Sequence, residues 1–143
     1  MKAKDYHTNK NSDFKILYVE DEPVANLLVT KFLKRVYPNV YSEYNGLDAF
    51  ARYKEIKPDL VITDLNMPVM CGCILIRNIR EIDRETPIIV TSANQEVFDL
   101  KIDLVKKPVN LSILMSKVKA IASNTYDFCS DIDIEYQLYE ITH

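Results

Sequence analysis

Asp59-Leu60-Val61-Ile62-Thr63-Asp64-Leu65-Asn66-Met67-Pro68-Val69-Met70-Cys71-Gly72 is the stretch on which the fold turns. Its first half is short, apolar and β-branched, with Lys57-Pro58 in front, and reads as a buried strand of a parallel sheet. The run stops on Asp64, a carboxylate at the strand's C-terminal mouth, where open α/β sheets bind their ligands. Asn66, Pro68 and Gly72 then impose an irregular loop before the next apolar periodicity. A single Asp at a strand end is also what a helix cap or a solvated turn looks like, so Asp64 takes its meaning from partners elsewhere in the chain.

Working outward, the same grammar repeats. Phe14 to Val19 is an apolar strand that delivers Glu20-Asp21-Glu22, and Pro23 suits the first turn of a helix. Ala25, Leu28, Phe32 and Val36 follow at helical spacing, with Pro38-Asn39 as the stop. Val40 to Glu43 reads as a more polar strand near an edge, and Gly46 to Ile56 as a helix with Leu47, Phe50 and Ala51 on one side. Beyond the opening strand, placed at 59–63, Leu75, Ile79 and Ile82 mark the inner face of a third helix. Pro87 to Thr91 is a fourth strand leading to Ser92, Ile102 to Lys106 a fifth leading to Lys107-Pro108, and residues 95–101 between them are poorly patterned. Asn110 caps a last helix that turns Leu111, Leu114, Met115, Val118 and Ile121 inward. Strands and helices in alternation predict an α/β domain with a mostly parallel sheet covered on both faces.

The bulk properties narrow the function classes. The chain has 143 residues, 48% hydrophobic and 27% charged, enough for one domain with tails. No apolar run reaches the ~20 residues of a membrane span, and residues 1–13 form a polar segment, expected to be flexible, without the apolar core of a signal peptide. Cys71, Cys73 and Cys129 are an odd set without framework spacing, which predicts a reducing, cytoplasmic setting. The only histidines, His7 and His143, are terminal, which leaves Cys71 and Cys73 without obvious partners for a metal. The net charge of −3 is uneven: residues 124–143 hold five acids and no Lys or Arg, while the rest is slightly basic. That balance gives no reason to expect nucleic-acid binding. With two glycines in all, GxGxxG and GxxxxGK[ST] loops are absent.

Each polar strand end falls at a C-terminal end: Glu20 and Asp21 after the first, Asp64 after the third, Ser92 after the fourth, Lys107 after the fifth. In a parallel sheet these ends share one edge. Three clustered carboxylates repel unless a cation compensates them, and an all-oxygen set with room for water suits Mg²⁺. A carboxylate nucleophile, a metal and an ammonium together suit phosphoryl transfer.

The chain resembles the receiver domain of two-component response regulators. The motifs that carry the resemblance are Ile16-Leu17-Tyr18-Val19-Glu20-Asp21-Glu22-Pro23, Asp64-Leu65-Asn66-Met67-Pro68 with Gly72, Pro87 to Ala93, and Lys107-Pro108. They span residues 14–123, between the 1–13 segment and an acidic tail at 124–143. The resemblance implies a doubly wound, five-stranded parallel sheet of order 2-1-3-4-5. It further implies that Asp64 accepts a phosphoryl group from a phosphohistidine on a sensor histidine kinase or a histidine phosphotransfer protein. Glu20, Asp21, Asp64 and the Asn66 backbone carbonyl would hold Mg²⁺, Ser92 would hydrogen-bond the phosphoryl group, Lys107 would pair with it, and Pro108 would follow a cis bond. Such a domain catalyses only its own phosphorylation and dephosphorylation and signals to a downstream effector, here unidentified, with no direct contact to nucleic acid or membrane.

Two departures stand out. The Ser92-to-Lys107 interval is about two helical turns short of the family pattern, which predicts a shortened or missing fourth helix. Leu104 occupies the place of a switching aromatic, so ordering of residues 93–101 on phosphorylation, with Phe98 or Leu100 docking near Ser92, is the expected alternative switch. Two other functions remain: a receiver-like binding module independent of phosphorylation, and an Mg²⁺-dependent phosphohydrolase. For the latter Leu65 and Asn66, following Asp64, supply no second acid. In the tail, Ile132, Ile134, Tyr136 and Leu138 alternate with Asp131, Asp133, Glu135 and Gln137, a strand-like period of two.

Overall fold

The computed structural model describes residues 11–93 and 101–124. The expectations for the fourth helix, for Phe98 and Leu100 and for the tail pattern lie outside the described residues. Residues 11–13 are helical. After them come β1 (Lys15–Val19), α1 (Pro23–Lys34), β2 (Asn39–Glu43), α2 (Gly46–Ile56), β3 (Leu60–Asp64), α3 (Gly72–Ile82), β4 (Ile88–Ser92), β5 (Ile102–Lys106) and α4 (Leu111–Ala122). The strands form one sheet in the order β2-β1-β3-β4-β5, every neighbouring pair parallel. The doubly wound architecture is therefore the one the sequence implied, with β1, β3 and β4 each ending one residue from, or at, the predicted boundary.

The period-two alternation of each strand divides the core into two layers. Ile16 and Tyr18 of β1, Ile62 of β3 and Val105 of β5 pack with Val29 and Leu33 of α1 and with Leu114, Met115, Val118 and Ile121 of α4. Leu17 and Val19, one residue out of phase, pack with Val61, Ala49 and Tyr53 of α2, and Leu75, Ile76 and Ile79 of α3. Strands β3 and β4 are buried from end to end, as central strands covered on both faces must be.

The predicted Asn110 cap is present and two further caps join it, while three helix faces need correction. Glu22 accepts hydrogen bonds from Val24 N and Ala25 N ahead of Pro23, Asn45 accepts from Asp48 N, and Asn110 from Ile113 N. In α1, however, the inward residues are Asn26, Val29 and Leu33, so the face is rotated by one residue from the predicted Ala25, Leu28, Phe32 and Val36. Leu28 is 58% exposed, while Ala25, Phe32 and Val36 are half-buried. Helix α1 is apolar on several sides, so hydrophobic spacing alone cannot fix its phase. The buried Asn26 fixes it, by bonds described below. In α2 the buried set is Gly46, Ala49 and Tyr53; Leu47 and Ala51 are exposed and Phe50 half-buried, because Gly46 must face the loop after β3. Ile82, the last residue of α3, is 56% exposed, so the predicted inner face ends at Ile79.

Candidate functional site

The sheet brings the sequence-predicted residues to one edge. Glu20 directly follows β1 and is buried, Asp64 is the last residue of β3 and is buried, and Asp21 is half-buried beside them. One carboxylate oxygen from each of the three lies within 4.8 Å of the others. Lys107, just beyond β5, donates from Nζ to Asp64 Oδ2 at 2.8 Å and to Glu20 Oε1 at 3.1 Å. The Lys107–Pro108 bond is cis, and the Lys107 backbone N–H donates to the Ser92 carbonyl at 2.8 Å. Ser92 is buried at the end of β4, one residue past Thr91, the register partner of Asp64. Asn66 is exposed, and its backbone N–H donates to Asp64 Oδ1 at 3.3 Å.

The electrostatics of the pocket follow from these contacts. Burial pushes the Glu20 carboxyl above the usual glutamate range, opposed by the Glu22 N–H and by Lys107. Burial lowers the Lys107 ammonium's affinity for its proton, but its hydrogen bonds to Asp64 and then to Glu20 outweigh it, and the net shift is upward. Below the pocket floor the Tyr18 phenol is also held above its ordinary range, first by burial, then by the charges of Glu20 and Asp64. When all are ionised, three carboxylates against one ammonium leave two negative charges in a pocket with two buried acids. All the donors are carboxylate oxygens, and each oxygen has a lone pair beyond the bond it already accepts. The donor set therefore fits a hard divalent cation.

Asn26 and the role of Gly46 escaped the sequence reading. Asn26 Nδ2 donates to the carbonyls of Glu20 at 3.0 Å and Glu43 at 3.1 Å, tying the ends of β1 and β2 and fixing the backbone that aims Glu20. A polar residue inside an apolar helix face gives no periodic signal; only its burial reveals it. Gly46 and Gly72, the only glycines, both serve the loop 65–71. A Cβ on Gly72 would stand 2.2 Å from the Asp64 carbonyl oxygen, and one on Gly46 would stand 2.4 Å from that of Met70. Gly72 was visible as a loop terminator; the partner of Gly46 was not. Between them Val69 has φ 71°, and Met70 N donates to Pro68 O at 2.8 Å, a γ-turn of the rarer hand that is costly for a β-branched residue.

An open parallel sheet with three acids, a lysine and a buried hydroxyl residue at its C-terminal edge defines the class: a doubly wound α/β domain with a cation-ready acidic pocket. The family model of the response regulator receiver domain matches residues 16–119, and the chain belongs to that family. Receiver domains are the signalling switches of two-component systems rather than enzymes acting on a separate substrate. Among relatives, the transcriptional regulatory protein TrcR of Mycobacterium tuberculosis is 27% identical over 122 residues, covering 80% of this chain and 48% of that protein. The chemotaxis protein CheY of Thermotoga maritima is 36% identical over 80 residues, 55% of this chain and 67% of that protein. The solved receiver domain of the hybrid histidine kinase CckA superposes with a TM-score of 0.67 at 26% identity, covering 76% of this chain and 98% of that one. The chain spans about half the length of the bacterial transcriptional regulators it matches. No helix among the described residues is long and apolar enough to cross a membrane.

Proposed function

We propose that Asp64 accepts a phosphoryl group from a kinase or phosphotransfer-protein phosphohistidine, and that this modification switches the domain. The P–N bond to the donor imidazole breaks, a P–O bond to an Asp64 carboxylate oxygen forms, and the imidazole leaves. The observation that carries the reading is Lys107 Nζ at 2.8 Å from Asp64 Oδ2, with Glu20 and Asp21 close by. An unattached carboxylate in such a field would be strongly repelled by the incoming phosphoryl oxygens; the lysine offsets that repulsion at the acceptor itself.

Glu20, Asp21, Asp64 and the Asn66 carbonyl are the residues that would hold Mg²⁺, whose role when bound is to neutralise phosphoryl oxygens. Lys107 would hold a phosphoryl oxygen by a charge-assisted hydrogen bond, and Ser92 would donate its hydroxyl proton to another. Gly72 and the 65–71 loop fix the Asp64 backbone so that the carboxylate stays at the mouth of the sheet. The odd cysteine count supports a reducing compartment, and we place the protein in the cytoplasm. The full set of acids with its lysine supports this reading over that of a phosphorylation-independent binding module. Intact-mass analysis after acetyl phosphate and Mg²⁺ tests it: one base-labile phosphoryl adduct is expected on the native chain and none on Asp64→Asn. An adduct that persists in Asp64→Asn removes the assignment.

A further inference from the structure

Strand β4 ends on two consecutive hydroxyl residues, Thr91 and Ser92, and both are buried. The alternation of the strand sends them to opposite faces of the sheet. Ser92 is in phase with Val90, in the layer beneath α2 and α3, and Thr91 with Ile89, in the layer beneath α1 and α4. Thr91 is wholly enclosed, and its Oγ1 has no hydrogen-bond partner among the described residues. A hydroxyl buried in this way costs stability, whereas valine would fill nearly the same shape without that cost. Such a group calls for a reason, and its position supplies one.

Thr91 pairs in register with Asp64 on β3 and with Val105 on β5. Asp64 is in phase with Ile62, and Lys107 with Val105, so Asp64, Thr91 and Lys107 share one face of the sheet. Lys107 starts beyond β5, yet its Nζ reaches Asp64 Oδ2 on β3 at 2.8 Å. Strand β4 lies between, so the lysine side chain has to cross it. Its backbone N–H, on the Ser92 carbonyl at 2.8 Å, sets that crossing at the end of β4, over Thr91. An ammonium has three N–H donors. Asp64 and Glu20 accept two, which leaves one without an acceptor among the described residues. A spare donor and a buried spare acceptor therefore share one face at one crossing.

We propose that Thr91 is a positioning residue for Lys107: its hydroxyl oxygen accepts the third ammonium proton once Asp64 carries a phosphoryl group. This rests on the reading of Asp64 as the phosphoryl acceptor. On modification the carboxylate charge of Asp64 moves outward onto the phosphoryl group, and Lys107 loses the nearer of its two acceptors. Glu20, on β1, would then draw the ammonium past its place. Thr91, fixed in the ladder of a central strand, holds it from below. A neutral hydroxyl does so without adding a fourth negative charge to the pocket.

The rate of acetyl-phosphate labelling of the full chain with Mg²⁺, followed by intact mass, tests the proposal. Thr91→Val should label at least about tenfold more slowly than the native chain, the scale of one hydrogen bond to a charged group. Thr91→Ser, which keeps the hydroxyl, should stay within about twofold of it. Thr91→Val should slow the residual labelling of Lys107→Met by less than about twofold, because it acts only through the ammonium. The unmodified Thr91→Val chain should melt no lower than the native one, since the hydroxyl it loses had no partner. Native-like labelling of Thr91→Val overturns the proposal, as does a slowing that Thr91→Ser shares or that is undiminished in Lys107→Met. A clearly lower melting temperature of Thr91→Val also overturns it, because the hydroxyl is then engaged before modification. A native chain that takes no adduct overturns the acceptor reading itself, and this proposal with it.

Discussion

Within five residues β1 passes from one physical regime to another. Ile16, Leu17, Tyr18 and Val19 are almost wholly buried and pack against four helices; the next residue, Glu20, is equally buried and is a carboxylate. Strand β3 repeats the pattern, with Leu60 to Thr63 followed by Asp64. The middle of the sheet is stable by burial alone, whereas its C-terminal end holds acids that the fold forces together and only partly neutralises. The lesson is that the scaffold's apolar layers hold in place an arrangement that the isolated residues would avoid. Substitutions in the two regions should accordingly have opposite signatures.

The largest effect separates the two outright. Ile62→Ala removes a buried side chain between helices and should cost about 2–5 kcal/mol of unfolding free energy, measured by denaturant titration. Asp64→Asn should abolish phosphoryl acceptance in the intact-mass assay while leaving metal-free stability unchanged or higher, because it removes one of three repelling acids. A stability loss in Asp64→Asn comparable to that of Ile62→Ala would break the comparison.

Gly72→Ala should damage both regions together. Its Cβ would meet the Asp64 carbonyl oxygen at 2.2 Å, so the loop or the strand end must shift. Loss of both thermal stability and acetyl-phosphate labelling is expected; an unchanged labelling rate would show that the loop does not position Asp64.

Lys107→Met sharpens the electrostatic side. With the ammonium about a third exposed, the loss at neutral pH should be about 1–3 kcal/mol, less than for a fully buried pair. Burial already raises the Glu20 pKa, and losing Lys107 raises it further. A raised carboxyl pKa favours the folded state below the ordinary glutamate range, and that advantage disappears as pH rises through the folded value. The gap between variant and native chain should therefore be widest at neutral pH and close on acidification. Melts in metal-free buffer across that range check the sign.

Much of this contrast could be read in the sequence, because both regimes write regular signals. Strand ends at Asp64 and Lys107 stand directly against apolar runs, and the cap at Asn110 obeys local chemistry. What stayed hidden depends on tertiary partners. Asn26 carries no apolar signal, and its bonds to Glu20 and Glu43 rotate α1 away from the face that Leu28 suggested. Gly46 is understood only from its approach to Met70, which also turns Leu47 outward.

The smallest effect belongs to the apolar region. Burial raises the phenol pKa of Tyr37, and that of Tyr53 against its bond to Thr86. Their protonated forms favour folding below the ordinary tyrosine range, and that contribution is lost as pH rises through their folded values. Spectrophotometric titration of the nine tyrosines should show these two, together with Tyr18, ionising late and with alkaline unfolding.

The central claim is that the C-terminal end of the sheet holds uncompensated negative charge poised for a divalent cation. Thermal melts with and without millimolar Mg²⁺ test it most directly, on the native chain beside Asp21→Asn. At a hundred times its dissociation constant, a ligand that binds only the folded state adds about 2.7 kcal/mol. The native chain should gain stability on this scale, and Asp21→Asn should gain clearly less while starting from equal or higher metal-free stability. Melts of the native chain that do not respond to Mg²⁺, or an equal response in Asp21→Asn, would contradict the account.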